Sequence, residues 1–207
     1  MMIFKLINLW NFRRELKFVI VSFLIAISLP FIAVIILMNV GINIVSDSLT
    51  SFDSKTNKVQ IHDPLTGEVV KEISPAVTWP VKGVITLEFG QSDLPYEVFH
   101  TGIDIANPFG KQGDPITPFM KGKVTYAGEI FWGFGKHIII DHGNNVTSIY
   151  GHLSKIFVYP GEEVKPGDII GLEGSTGWST GPHLHFQINV YGLPINPRVF
   201  LGEGNPN

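Results

Sequence analysis

Two features of this 207-residue chain predict its fold: an all-β domain, built as an antiparallel β-sheet or sandwich with a groove, preceded by one N-terminal transmembrane helix. Short runs of β-type composition recur at 83–89, 102–105, 123–127, 137–141, 146–150, 168–172 and 184–190, with Gly, Pro, Asn and Asp between them and no useful window of helical period. Ahead of them, residues 18–38 carry no charge and are interrupted only by Ser22, Ser28 and Pro30.

Those 21 apolar positions would span about 31 Å as a helix, matching a hydrocarbon core of about 30 Å. The stretch lacks the short apolar region and small-residue cleavage site of a signal peptide, so it reads as an uncleaved anchor over 18–45. Lys5, Arg13, Arg14 and Lys17 precede it, and the next cation is Lys55. The positive-inside rule then predicts residues 1–17 in the cytoplasm and the rest outside, in a single-pass cell-membrane protein. Pro30 is tolerated in membrane helices.

Residues 46–78 are polar and read as an extracytoplasmic tether. Within it, 59–61 and 68–73 flank a Pro-Leu-Thr-Gly turn and can pair as a hairpin. His62 beside that turn reads as a solvated surface residue. The β domain occupies 79–200, followed by a tail at 201–207. Asp141-His142-Gly143-Asn144-Asn145 has the composition of a hairpin turn, and 160–168 that of a loop and turn pair.

Composition narrows the chemistry. With no cysteine, disulfides and thiolate metal sites are excluded, and a metal must be held by histidine and carboxylate. Setting aside the four basic and one acidic residues before Phe18 leaves 11 basic and 17 acidic, a charge of −6. Nucleic acid is therefore not an expected partner, because phosphate binding is built from clustered Lys and Arg.

The most informative stretch is Gly181-Pro182-His183-Leu184-His185-Phe186-Gln187-Ile188-Asn189. Apolar residues alternate with polar ones at the period of a half-buried strand, so His183 and His185 share one face. In His100-Thr101-Gly102-Ile103-Asp104 the outer residues also return to one face of an extended segment, with Gly102 permitting close approach. A His and an Asp aimed together suit Zn²⁺. His100, Asp104 and His185 would make three ligands, leaving the fourth tetrahedral position for water, as in catalytic rather than structural zinc sites. His137, His142, His152 and His183 remain for other work. His142 is explained by turn chemistry, and His137, beside an Ile-Ile-Ile run, is structural. Gly177-Trp178-Ser179-Thr180-Gly181 matches the spacing of a nucleophile elbow, but Pro182 and a strand follow where that motif needs a helix.

Taken together, Trp79-Pro80-Val81, Phe89-Gly90, the His100 to Asp104 motif, Tyr150-Gly151-His152-Leu153-Ser154 and Gly174-Ser175-Thr176-Gly177 running into Gly181-Pro182-His183-Leu184-His185-Phe186 resemble the lysostaphin and LytM type of zinc metallopeptidase. The resemblance covers 79–197. It implies an antiparallel β fold with an active-site groove, one Zn²⁺ per chain, and hydrolysis of peptide bonds in the stems or cross-bridges of peptidoglycan. By position His100, Asp104 and His185 match the family's zinc ligands, His152 and His183 its two non-ligand active-site histidines, and Tyr96 loosely an assisting tyrosine. The chain has no His-Glu-x-x-His motif, so the two histidines are expected to handle the protons. The expected function is a membrane-anchored zinc endopeptidase of the cell wall. The alternatives are a non-catalytic wall-binding or hydrolase-activating module on the same fold, and a peptidase acting on protein or peptide.

Overall fold

A computed structural model describes residues 2–74, 77–91, 99–202, 204 and 206. In chain order the elements are α1 (Met2–Leu49), β1 (Thr50–Asp53), β2 (Lys58–His62), β3 (Val69–Ile73), β4 (Val84–Leu87), β5 (Ile103–Ala106), β6 (Pro115–Ile116), β7 (Gly122–Glu129), β8 (Lys136–Asp141), β9 (Val146–Gly151), β10 (Lys155–Ile156), β11 (Glu163–Val164), β12 (Gly171–Leu172), β13 (Leu184–Val190), β14 (Leu193–Ile195) and α2 (Arg198–Leu201). Residues 1–40 and 41–207 form two compact units.

The first unit is helix. Among the described residues one segment, Arg14–Val34, is long and apolar enough to cross a membrane. It begins four residues before the uncharged stretch and contains Pro30. Side chains such as Phe18, Phe23 and Leu29 stand exposed along it.

In the second unit every strand pairing is antiparallel. The main sheet runs β11-β7-β8-β9-β13-β5-β4, with β14 added beside β13. Two smaller sheets run β10-β12-β6 and β1-β2-β3. One apolar core joins all three, drawing Ile61 from β2, Ile116 from β6 and Ile138, Ile140, Phe186 and Ile188 from the main sheet. Removing each such side chain from water contributes about 1.5–3 kcal/mol, which holds the sheets face to face. The turn between β8 and β9 is the one expected: Gly143, Asn144 and Asn145 all have positive φ, a region that Gly and Asn tolerate, and the Asp141 carboxylate accepts the Gly143 N–H.

The stretch 46–78, which reads as a tether, is folded instead. The last turns of α1 reach Leu49, which is buried in the core, and the Ser46 hydroxyl accepts the N–H of Asn196. The hairpin of 59–61 and 68–73 forms as β2 and β3, but a third strand, β1, pairs with it, and Val59 and Ile61 are fully buried. Polar composition concealed this because the inward positions of so short a sheet are few. His62 is also less solvated than expected. Its ring joins Ser51 Oγ at 2.8 Å to the Gly67 carbonyl at 3.1 Å.

Candidate metal centre

Strand β13 positions the centre. Leu184, Phe186, Ile188 and Val190 enter the core, which turns His185 and Gln187 to the opposite face. On one side His185 pairs with Asp104 of β5, and on the other with Gly151 of β9, immediately before His152. His100 comes from the loop ahead of β5. The approach requires Gly102, since a Cβ there would lie 2.4 Å from the Phe186 carbonyl oxygen. A side chain at that position would push β5 off β13 and separate Asp104 from His185.

Three atoms converge. His100 Nε2 lies 2.9 Å from His185 Nδ1, and each is 3.0 Å from Asp104 Oδ1. Outer contacts assign the ring protons. His100 Nδ1 donates to the Glu88 carbonyl at 3.2 Å and His185 Nε2 faces Gln187 Oε1 at 3.5 Å, leaving a lone pair on each inward nitrogen. Two lone pairs and a carboxylate oxygen at such separations repel, and both histidines are buried. A shared proton or a cation relieves this. Tetrahedral zinc with bonds of about 2.0–2.1 Å sets its ligand atoms roughly 3.3 Å apart, so this donor set fits one zinc ion with a small outward relaxation. Burial alone would push the Asp104 carboxyl up, but when a proton sits on the inward nitrogens, hydrogen bonding with His100 and His185 and their charge outweigh it and hold the group well below the usual carboxylate range, so Asp104 stays an anion that a shared proton or a cation must balance.

Two more histidines flank the cluster. His183 Nε2 is 3.5 Å from Asp104 Oδ2, and its Nδ1 donates to the Gly181 carbonyl at 2.9 Å. His152 has φ 62, a left-handed conformation uncommon for a non-glycine residue and often kept at functional sites. Its Nδ1 donates to the Thr176 carbonyl at 2.7 Å, so Nε2 keeps its lone pair. The rings of His152 and His183 are 4.7 Å apart. Burial, reinforced by the neighbouring imidazoles of His183 and His185, pushes His152 down to about 3, so it is neutral at physiological pH.

Thr176 holds the His152 side of the site together. Its hydroxyl donates to the Leu153 carbonyl and accepts the Lys136 N–H, both at 2.9 Å. The same loop meets 130–135 where the Trp178 N–H bonds the Gly133 carbonyl. Phe131, Trp132 and Trp178 are exposed on these two loops. Ser179 donates to the Gly181 carbonyl at 2.7 Å, a loop bond rather than the poise of a nucleophile.

The structure thus gathers His100, Asp104, His185, His152 and His183, and leaves the other histidines elsewhere. His137 stacks on Tyr126 and bonds the Gly135 carbonyl. His142 is part of a buried polar chain: Nδ1 donates to the Lys121 carbonyl at 2.8 Å, Nε2 is 2.7 Å from Ser148 Oγ, and Ser148 meets the Tyr150 hydroxyl, which accepts the Phe119 N–H. Tyr96 lies outside the described residues. Sequence reasoning missed the outer support. Gln187 Oε1 accepts the Thr101 hydroxyl at 2.6 Å, and Arg198 clamps the Glu88 carboxylate at 2.6 and 3.3 Å. Gln187 was signalled by sharing the face of His185, whereas Glu88 and Arg198, 110 residues apart, carried no local signal.

Fold and site define the class: an antiparallel-β protein in which strand β13, strand β5 and the loop ahead of β5 bring together a His-Asp-His set able to hold one divalent cation, with two further histidines beside it. The pattern of peptidase family M23 matches residues 98–197, and the chain belongs to that family. Among solved structures it is similar to the catalytic domain of the prophage-encoded M23 protein EnpA from Enterococcus faecalis (38% identity, 57% of this chain and 92% of that one, TM-score 0.51) and to that of lysostaphin from Staphylococcus simulans (34%, 57% and 92%, 0.52). It is also similar to a zinc-containing peptidase from Vibrio cholerae (29%, 72% and 48%, 0.55). Among curated relatives it is 44% identical over 98 residues to the DD-carboxypeptidase/endopeptidase Mpg of Neisseria meningitidis and 39% identical over 125 residues to the murein hydrolase activator NlpD of Escherichia coli. Those matches span 22% and 31% of the relatives' lengths.

Proposed function

We propose that the protein is a membrane-anchored zinc endopeptidase that hydrolyses peptide bonds in peptidoglycan, with His100, Asp104 and His185 as ligands and His152 and His183 as catalytic residues. The observation that carries this reading is the completeness of the site: three donor atoms within 3.0 Å of one another, and beside them a neutral histidine with a bare Nε2. A zinc ion held there would supply Lewis acidity, making water a nucleophile near neutral pH and polarising a carbonyl. His152 Nε2 accepts the proton that the attacking water releases, and its Nδ1 is held by Thr176 so that the ring cannot turn away. His152 then passes that proton to the leaving amine, and His183, fixed through Gly181, stabilises the oxyanion. The exposed aromatic rings of Phe131, Trp132 and Trp178 offer a wall for an extended peptide.

The cations ahead of residue 18 support a cytoplasmic amino terminus and an outward-facing domain over 79–200. A second reading, a hydrolase activator, is favoured by the likeness to NlpD, whose name states that role. One experiment separates the two. The full chain in neutral detergent, loaded with zinc, is incubated with purified sacculi and the released peptides are identified by mass spectrometry. The enzyme reading expects cleaved peptide bonds, lost with chelator and in His152→Ala. Release only when a separate hydrolase is added would instead establish the activator.

A further inference from the structure

We propose that a cavity at the far end of the main sheet binds a phosphate ester carrying a hydrocarbon chain. The cavity has a volume of about 710 Å³, within the range of small-molecule sites, and lies where β3, the turn before β7 and the turn after β8 meet. It is separate from the metal centre. His142, on its wall, adjoins the Val146 end of β9, and His152 adjoins the Gly151 end, roughly 17 Å away along six extended residues.

Two features of the lining point to the ligand. Lys71, Lys121 and Lys165 all border the cavity, within a domain whose acidic residues outnumber its basic ones. Among the described residues no carboxylate pairs with any of the three ammonium groups, and the single acid of the lining, Glu72, is paired with Lys58 at 2.6 Å. His142 adds no charge, since both its nitrogens serve the buried chain to Lys121 and Ser148. Three compact ammonium charges suit a phosphate, which they approach as point charges from several directions. The floor is apolar: Ile73, Val77 and Met120 pack against the core on one side and face the cavity on the other. A phosphate with a hydrocarbon segment satisfies both halves, whereas a bare anion leaves the floor wet and a neutral chain leaves the lysines unused.

The test uses the full chain, labelled with [¹³C]methyl methionine, in micelles of a neutral maltoside detergent free of phospholipid. The Met120 methyl signal is followed while hexyl phosphate, inorganic phosphate or hexan-1-ol is added. The proposal expects a saturable Met120 shift with hexyl phosphate, binding at least tenfold weaker for the other two probes, and at least tenfold weakening in the Lys121→Gln/Lys165→Gln variant, with Lys155→Gln unchanged. The three lysines tested are exposed, so the fold survives their replacement. Shifting Met120 by adding phosphatidylglycerol to the micelles, with no probe, supports a lipid headgroup as the source. Hexyl phosphate binding without that response supports a soluble ester. Absence of a Met120 shift, equal affinity for hexan-1-ol or inorganic phosphate, or equal weakening by Lys155→Gln overturns the proposal.

Discussion

His152 and Thr176 are joined by a 2.7 Å hydrogen bond from the imidazole Nδ1 to the backbone carbonyl oxygen, at a residue whose φ of 62 would ordinarily suit glycine or asparagine. That bond fixes the tautomer, and the conformation sets the ring 4.7 Å from that of His183 and 5.9 Å from that of His185. If His152 is the base, His152→Ala should lower peptide-bond hydrolysis by about 10²–10⁴-fold. The zinc content should stay at the wild-type level, because the ring supplies no ligand. Metal analysis alongside kinetics on a defined muropeptide checks both halves.

Thr176 bridges Lys136 and Leu153 through its hydroxyl. Thr176→Val keeps the shape but breaks both bonds, leaving a part-buried donor and acceptor unpaired at a cost of about 1–3 kcal/mol each. Chemical denaturation should report a loss of about 2–6 kcal/mol for the two together, and turnover should fall because His152 hangs on the same residue's carbonyl. Thr176→Ser should recover most of both.

Gly102→Ala places a methyl 2.4 Å from the Phe186 carbonyl oxygen, which backbone alone can relieve. The expected result is a destabilisation of more than about 2 kcal/mol together with loss of zinc binding, since β5 and β13 carry Asp104 and His185 in register. Zinc affinity that survives in a stably folded Gly102→Ala would contradict the role given to that close approach.

Gln187 receives both the Thr101 hydroxyl and the outer nitrogen of His185. Gln187→Met should weaken zinc binding by about 10–100-fold without removing a ligand. Competition against a chromophoric chelator measures it.

His142 provides a pH test away from the His100, Asp104 and His185 cluster. Burial pushes it down to about 4, so the unfolded chain binds a proton that the folded chain refuses between pH 4 and about 6.5. Its contribution is complete above pH 6.5 and is lost as pH falls towards 4, by about 3 kcal/mol in all. Unfolding free energies of the metal-free protein across that window should rise with pH, and His142→Gln should flatten the slope.

The alternating apolar and polar residues of 184–190 made β13 legible, and with it the shared face of His183 and His185. The Gly-rich turns at 143–145 were equally clear, because φ above zero selects Gly and Asn. The short strands β6, β10, β11 and β14 were not, being two or three residues long and formed by pairing rather than propensity. The supports of His100 were hidden for a related reason. Glu88 and Arg198 meet only when β4 and α2 are brought together by the fold. The hairpin of β2 and β3 was legible, but its third strand β1 and its attachment to the core were not, because two inward residues, Val59 and Ile61, anchor an otherwise polar stretch.

The central claim is that three side chains from two separated segments share one cation. Titration of zinc into the metal-free full chain, read by calorimetry, tests it most directly: the account predicts one ion bound per chain and loss of that site in His100→Ala, Asp104→Ala and His185→Ala alike. Tight binding that persists in any of the three, or no binding by the wild-type chain, would contradict it.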